Sequence, residues 1–208
     1  MQIGIIGSGM IGATAARLFA AAGHSVILSN SRGPDSLRDL VAGIGNGAKA
    51  ATVPDAVRNA EVVLLAIPWR KPEALPKPEL VAGKIVIDAM NPYAEGGGMV
   101  PLGDSSSSEE TAKRLPGARI VKAFNTIYFQ HLATQGRHDL PAAERRAIFV
   151  AGEDAGARLV VARLIEDIGF GPVDAGSLRE GGLRLQPESP LYNRVITAAD
   201  AARALRDA

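Results

Sequence analysis

Six residues, Gly7-Ser8-Gly9-Met10-Ile11-Gly12, constrain this chain more than any other stretch. They fit G-x-G-x-x-G, and their surroundings give the pattern its force. The apolar run Gln2–Ile6 precedes them, an alanine-rich helical segment Gly9–Ala22 carrying Leu18 and Phe19 follows, and the strand-like Ser25–Leu28 comes next. A strand, a glycine turn, a helix and a second strand at this spacing describe a βαβ unit that binds a dinucleotide. In such a unit Gly7 makes the tight turn, Gly9 lets backbone approach a pyrophosphate, and Gly12 allows the helix to lie close on the strand. The helix N-terminus then offers free N–H groups and a positive dipole end to the phosphates.

The end of the second strand selects the dinucleotide. A chain that binds NAD usually carries Asp or Glu there, to accept hydrogen bonds from the adenosine ribose. Here the position reads Ser29-Asn30-Ser31-Arg32, and the nearest carboxylate is Asp35, placed by Pro34 at the start of the next helix. Hydroxyl donors and a guanidinium complement a phosphate, and a charge-assisted contact of this kind is worth roughly 1.5–3 kcal/mol. NADP(H) is therefore expected over NAD(H), with Gly7 to Gly12 and Ser29, Asn30, Ser31 and Arg32 as contacts. The competing reading is an ordinary polar turn before Gly33-Pro34.

The rest of the chain continues the alternation. Helical patterns are expected at Ser36–Ile44, from Pro54, and at Ala155–Ile168. Strands are expected at Ala48–Ala50, Glu61–Ile67, Lys84–Asp88, Arg119–Lys122, Ala147–Ala151 and Pro172–Asp174. Glu61–Ile67 is apolar without alternation, as in a parallel strand covered on both faces. The expectation is an α/β fold: a Rossmann-type, doubly wound parallel sheet with helices on both faces. The segment Pro68–Pro78 carries prolines at 68, 72, 76 and 78 and is excluded as one regular helix. The Pro-, Gly- and Ser-rich stretch Asn91–Ser108 reads as a long functional or mobile loop. With no internal repeat and no linker, residues 1–208 are read as one NADP-binding domain. Residues 177–208 form a short extension, helical over Leu191–Leu205, that closes the domain or meets a second subunit in a homodimer.

Composition removes several classes. Lys+Arg 23 against Asp+Glu 22 leaves a net charge of +1, no electrostatic basis for nucleic acid or an anionic membrane as main partner. The absence of cysteine rules out disulfides, thiolate metal sites and thiol catalysis in this sequence, and fits a cytoplasmic protein. Val62–Pro68, the longest apolar run, falls far below the ~20 residues of a membrane helix.

Ligands of such sheets sit beyond the carboxyl ends of the strands. Three segments reach that crevice: Ile67-Pro68-Trp69 (after Ala66), Met90-Asn91-Pro92 and Phe124-Asn125-Thr126 (after Ala123). They are mostly apolar with a few amides and hydroxyls, which suits a flat ring better than a charged substrate. The acid–base inventory is thin. His24 lies in a turn on the wrong side of the sheet, His131 and His138 are closer to packing or surface roles, and Ser105–Ser108 before Glu109 reads as a helix cap. A reaction on a carbonyl or alcohol needs a positioned acid or base, whereas hydride transfer between nicotinamide and a flavin-like ring mainly needs two stacked, dry rings.

Taken in order, Gly7–Gly12, Ser29–Arg32, Ala66-Ile67-Pro68-Trp69, Val121-Lys-Ala-Phe-Asn-Thr-Ile127 and Asp174-Ala-Gly-Ser-Leu178 resemble the NADPH-dependent reductases of the deazaflavin coenzyme F420. They are also similar to the cytoplasmic NADPH-binding domain of the STEAP metalloreductases, which share Lys-Ala-Phe-Asn-Thr. The resemblance implies that Ser31 and Arg32 bind the 2′-phosphate. It implies that Ile67, Pro68 and Trp69 border the pyrophosphate and nicotinamide half, and that Asn125, Thr126 and Ile127 lie at the facing ring. The F420 reductases commonly have histidine at the position of Asn125, which keeps a flavin beside F420 as acceptor. Other readings are an imine or β-hydroxyacid reductase, whose extra helical domain the residues after Gly176 are too few to supply, and a non-enzymatic NADP(H)-binding redox sensor.

Overall fold

Runs of four or five apolar residues, each bounded by glycine or a polar turn, become short strands buried on both faces. The computed structural model describes residues 1–207. Its strands are β1 (Gln2–Ile6), β2 (Ser25–Ser29), β3 (Lys49–Ala50), β4 (Val62–Leu65), β5 (Ile85–Asp88), β6 (Arg119–Lys122), β7 (Ala147–Val150) and β8 (Gly171–Asp174). The helices are α1 (Met10–Ala21), α2 (Arg38–Ile44), α3 (Val53–Arg58), α4 (Pro78–Val81), α5 (Ser107–Arg114), α6 (Phe129–Thr134), α7 (Ala155–Asp167), α8 (Glu180–Arg184) and α9 (Ala198–Asp207). The first six strands form one parallel sheet in the order β3-β2-β1-β4-β5-β6. The order reverses between β1 and β4, which opens the crevice at their carboxyl ends.

Alternation within the strands divides the core. Ile3, Ile5, Val62, Leu64 and Ile87 face α1, α6 and α7, where Phe19, Leu132 and Leu164 meet them. Ile6, Val63, Leu65 and Val86 face Val57 of α3, Val81 of α4 and Leu115 beyond α5. Helices therefore cover both faces, as expected of the doubly wound class.

Three details depart from the sequence reading. β7 and β8 pair with each other and not in the main sheet; they join β6 through an antiparallel bridge from Lys122 to Ala151. Their inner face packs on Leu185, Leu191, Ala198 and Ala201 from the C-terminal segment. The tail is not helical from Leu191. Asn193 takes a positive φ of 55°, and the last helix starts only after Thr197, whose Oγ1 accepts from the Asp200 N–H at 3.2 Å. α8 was hidden in the sequence by Gly181-Gly182, a pair that favours turns where tertiary contacts do not intervene. Among the described residues no helix is long and apolar enough to cross a membrane.

A buried polar node ties the sheet's end together. Lys122 and Asp88, side by side on β6 and β5, are both fully buried, with Nζ 4.0 Å from the carboxylate. Nζ donates to the Met90 carbonyl at 3.0 Å and to Ser107 Oγ at 3.1 Å. Asp88 accepts from the Met90 N–H at 3.0 Å and from Ser108 Oγ at 2.7 Å. Burial pulls the Lys122 amine below its ordinary pKa, and Asp88 opposes that shift. Lys122→Met strands a buried carboxylate and is expected to cost about 3–5 kcal/mol, whereas Lys122→Met with Asp88→Asn recovers part of the loss. Urea unfolding of the single and double variants measures both.

Candidate functional site

The glycine turn lies at the switch point, and each glycine has a separate physical reason. Gly7 has φ of 110°, and a Cβ there would sit 2.2 Å from the Ala66 carbonyl oxygen. A Cβ on Gly12 would sit 2.0 Å from the Gly7 carbonyl oxygen. These two let α1 descend onto β1 and β4. Gly9 differs: its φ of −72° suits any residue, and nothing lies within 4 Å of a Cβ placed there. It is also the uncapped start of α1, so open space meets free helix N–H groups.

On one side of this turn is a cavity of about 590 Å³. Gly7, Ser8 and Gly9 form its floor, Asn30, Ser31 and Arg32 one wall, and Ala66, Ile67 and Pro68 another. Asn30 organises its wall: its amide donates to Ser8 Oγ at 3.2 Å and Ser36 Oγ at 3.0 Å, and its Oδ1 accepts from the Arg32 N–H at 2.9 Å. This Asx turn leaves the Ser31 and Arg32 side chains free to reach a ligand. The proline-rich segment after β4 adds Lys71 and Lys77 from the opposite rim. The sequence reading missed both, because irregular loops have no periodicity to place them.

Ser29, Trp69, Met90 and Ala123, expected at the cofactor, line neither cavity. Ser29 is fully buried and its hydroxyl donates to the Ile5 carbonyl at 3.1 Å, so it closes β2 onto β1. Trp69 turns inward, 7% exposed, and packs away from the cavity lining. Its indole N–H donates to the Ser107 carbonyl at 3.2 Å, and the Arg114 guanidinium stacks 4.5 Å above the ring.

On the other side of the α1 N-terminus is a second cavity, of about 210 Å³. Met10 and Ile11 border it from α1, Ala89 and Asn91 from the β5 end, and Phe124, Asn125 and Ile127 from the β6 end. Phe124 holds φ at 64°, a conformation that costs a non-glycine residue roughly 1–3 kcal/mol. Its ring is anchored edge-on to Phe19 with centroids 6.0 Å apart, and the bend brings Asn125 to Asn91. Asn125 Nδ2 donates to Asn91 Oδ1 at 3.1 Å and to the Leu185 carbonyl at 2.7 Å, while Asn91 Nδ2 donates back to the Asn125 carbonyl at 3.0 Å. Both amide hydrogens of Asn125 are thereby used, and its buried Oδ1 has no donor. Ala123, Thr126 and Met90 are buried and do not line either cavity.

The cavity is completed by residues from further along the chain. Tyr128, Tyr192 and Asn193 line it, and the Tyr192 hydroxyl lies 2.8 Å from that of Tyr93. These are all three tyrosines of the chain, which was the available signal in a sequence with 4% aromatic residues. The histidines stay outside both cavities: His24 joins the N-terminal amine to Asp167, His131 stacks edge-on against Tyr128, and His138 is exposed. Ser106 and Glu109 form a reciprocal capping box on α5, as the serine run implied.

A parallel sheet in this order, with the glycine turn at its switch point and clefts on both sides of the helix that follows, defines a Rossmann-fold dinucleotide-binding protein. Residues 2–92 match the family described as NADP oxidoreductase, coenzyme F420-dependent. Over those residues, somewhat less than half of its length, the chain is similar to that family of NADP-dependent oxidoreductases. It is 34% identical to a hypothetical protein of Sinorhizobium meliloti, with 95% of each chain covered and a TM-score of 0.82. A candidate F420-dependent NADP reductase of Arthrobacter sp. FB24 is 27% identical, with 86% of each chain covered and a TM-score of 0.74. Metalloreductase STEAP3 of Rattus norvegicus is 28% identical over 178 residues, 85% of this chain, and this chain spans only 34% of that protein's length.

The glycine geometry gives a direct test of which positions serve the fold. Gly12→Ala is expected to destabilise by about 1–3 kcal/mol through overpacking, while Gly9→Ala unfolds like the wild type. Thermal unfolding of the two variants separates them.

Proposed function

We propose that this protein transfers hydride between NADPH and a flavin-like or deazaflavin acceptor, F420 being one such acceptor. In this reading the pyrophosphate rests on Gly7 to Gly9 and the α1 N-terminus, and Ser31 and Arg32 hold the 2′-phosphate. The nicotinamide half passes Met10 and Ile11 toward the second cavity, where Asn91, Asn125 and Ile127 meet the acceptor ring. The open face of Gly9 is the observation that the cofactor fits, since the close contacts around Gly7 and Gly12 leave that one position clear. The character of the second cavity carries the choice of acceptor. Its lining residues are apolar, aromatic or amide, with no carboxylate, lysine or histidine among them, which suits a flat conjugated ring.

The same reading treats residues 1–208 as one NADP-binding unit that works in the cytoplasm. Its tail, from about residue 177, is tied to the strand ends through Leu185 and Tyr192 and to α5 through Gln186. Val195, 62% exposed, and Leu183, 38% exposed, give that tail apolar surface for a homodimer.

Mixing the protein with NADPH and, in turn, F420, FMN, FAD or riboflavin, and following the nicotinamide absorbance band, tests the activity. Oxidation of NADPH by at least one ring acceptor is expected; tight NADPH binding with no oxidation by any of them would establish a sensor instead. For the cofactor, Arg32→Ala is expected to lower the NADP/NAD preference roughly ten- to a hundredfold, the equivalent of about 1.5–3 kcal/mol, leaving NADH affinity unchanged. An unaltered preference in paired titrations removes Arg32 from the clamp.

A further inference from the structure

A hydride delivered to a conjugated ring or double bond leaves a heteroatom that takes up a proton. The residues from the strand ends that line the second cavity hold no group suited to supply it. We propose that the Tyr192 hydroxyl is that proton donor, replenished through Tyr93, so that the C-terminal tail furnishes the acid the strand ends lack. This rests on the second cavity being where nicotinamide and acceptor meet.

The hydrogen-bond geometry holds the Tyr192 hydroxyl at the cavity. Asn91 has a fixed orientation, because its Oδ1 accepts from Asn125 Nδ2 at 3.1 Å and its Nδ2 faces the Asn125 carbonyl at 3.0 Å. That Nδ2 therefore also donates to the Tyr192 hydroxyl oxygen, at 3.2 Å. The Tyr93 hydroxyl lies 2.8 Å from the same oxygen, and either hydroxyl can donate to the other. A phenolic oxygen accepts through its lone pairs and donates one O–H. With Asn91 donating to it, and Tyr93 donating once a ligand acceptor enters, the Tyr192 O–H turns to the molecule in the cavity. The Asn91 amide, still donating to that oxygen, stabilises the phenolate that forms when the proton leaves.

Two further observations agree. Burial first, and then Tyr93, the titratable group facing it, raise the Tyr192 phenol above its ordinary pKa, so it rests protonated at neutral pH. Tyr93 is 42% exposed and links the pair to bulk water. Independently, Asn125 Oδ1 is a buried acceptor with no donor. Tyr192 as donor and Asn125 as unsatisfied acceptor are thus joined through Asn91 at the wall of the cavity. A ligand with a basic heteroatom and a nearby N–H, such as the carbonyl and imide edge of a flavin or deazaflavin ring, matches that pair.

The step balances without another reagent. The C–H bond at the nicotinamide breaks with its electron pair, which forms the new C–H or N–H bond on the acceptor ring. The Tyr192 O–H breaks and its proton joins the ring heteroatom. Tyr93 then passes a proton to Tyr192 and regains one from water. NADPH is oxidised, the ring is reduced by two electrons, and one proton is taken from solvent.

The test is NADPH oxidation by the full chain with F420, FMN, FAD or riboflavin, comparing wild type with Tyr192→Phe and Tyr93→Phe. Tyr192→Phe is expected to lower kcat roughly 10²-fold, the low end of what a positioned acid contributes, with NADPH affinity unchanged and activity partly restored by small acidic buffers. Tyr93→Phe is expected to fall between the two, because the donor remains and its supply is slowed. Wild-type kcat in Tyr192→Phe overturns the proposal. So does a loss of kcat matched by a loss of NADPH affinity and not restored by buffer acids, which would mark a structural role. A wild-type protein that binds NADPH and reduces none of these acceptors overturns the hydride-transfer reading itself, a result distinct from an active Tyr192→Phe.

Discussion

The ammonium of Lys122 and the carboxylate of Asp88 share an interior with no exposure to solvent, and much of the site hangs from that pairing. Taking two charges out of water is costly, and the cost is offset only where further hydrogen bonds satisfy both ions. Here the satisfying partners are Met90, Ser107 and Ser108. Each belongs to a segment that would otherwise be free: the turn that presents Asn91, and the first turn of α5. Ser107 in turn receives the Trp69 indole through its carbonyl and binds Gln186 of the tail through its N–H. A fully satisfied buried network of this kind fixes one arrangement, because any shift leaves a charge unpaired.

From that anchored end, the α1 N-terminus divides the crevice in two. One side is larger and rimmed by Arg32, Lys71 and Lys77, and has the charge for a phosphorylated ribose. The other is smaller and framed by a strained Phe124, two interlocked amides and three aromatic rings. Positive charge at one end and a nearly uncharged pocket at the other is the division of labour that the proposed hydride transfer requires: binding energy from the remote end, dryness at the reacting end.

How much of this could be read in advance depends on whether a residue's role is local. The glycine turn, the strand runs, the missing acidic residue after β2 and the α5 cap were all legible, since each rests on backbone sterics or short-range hydrogen bonding. Ser29 was misread as a ligand contact because its place at the end of a strand does not reveal which way the side chain points; the hydroxyl turns back to Ile5. Trp69 was misread for a similar reason, since the irregular chain after β4 turns its ring inward, onto Ser107 and Arg114 of α5. The tail was read as one helix from its apolar spacing, yet Asn193 and Thr197 break it, and the non-helical part is what carries Tyr192 into the site.

The sequence by itself determined the doubly wound sheet, the glycine turn and the absence of an acidic residue beside Ser31 and Arg32, because periodicity, glycine sterics and charge act over a few residues. Only the tertiary structure decided that Tyr192 meets Tyr93, 99 positions away in sequence, and that Asn125 reaches Leu185 across 60 positions. Those contacts depend on β7 and β8 leaving the main sheet and carrying the tail back over the strand ends. No local pattern encodes that return; it follows from where the last apolar face finds cover.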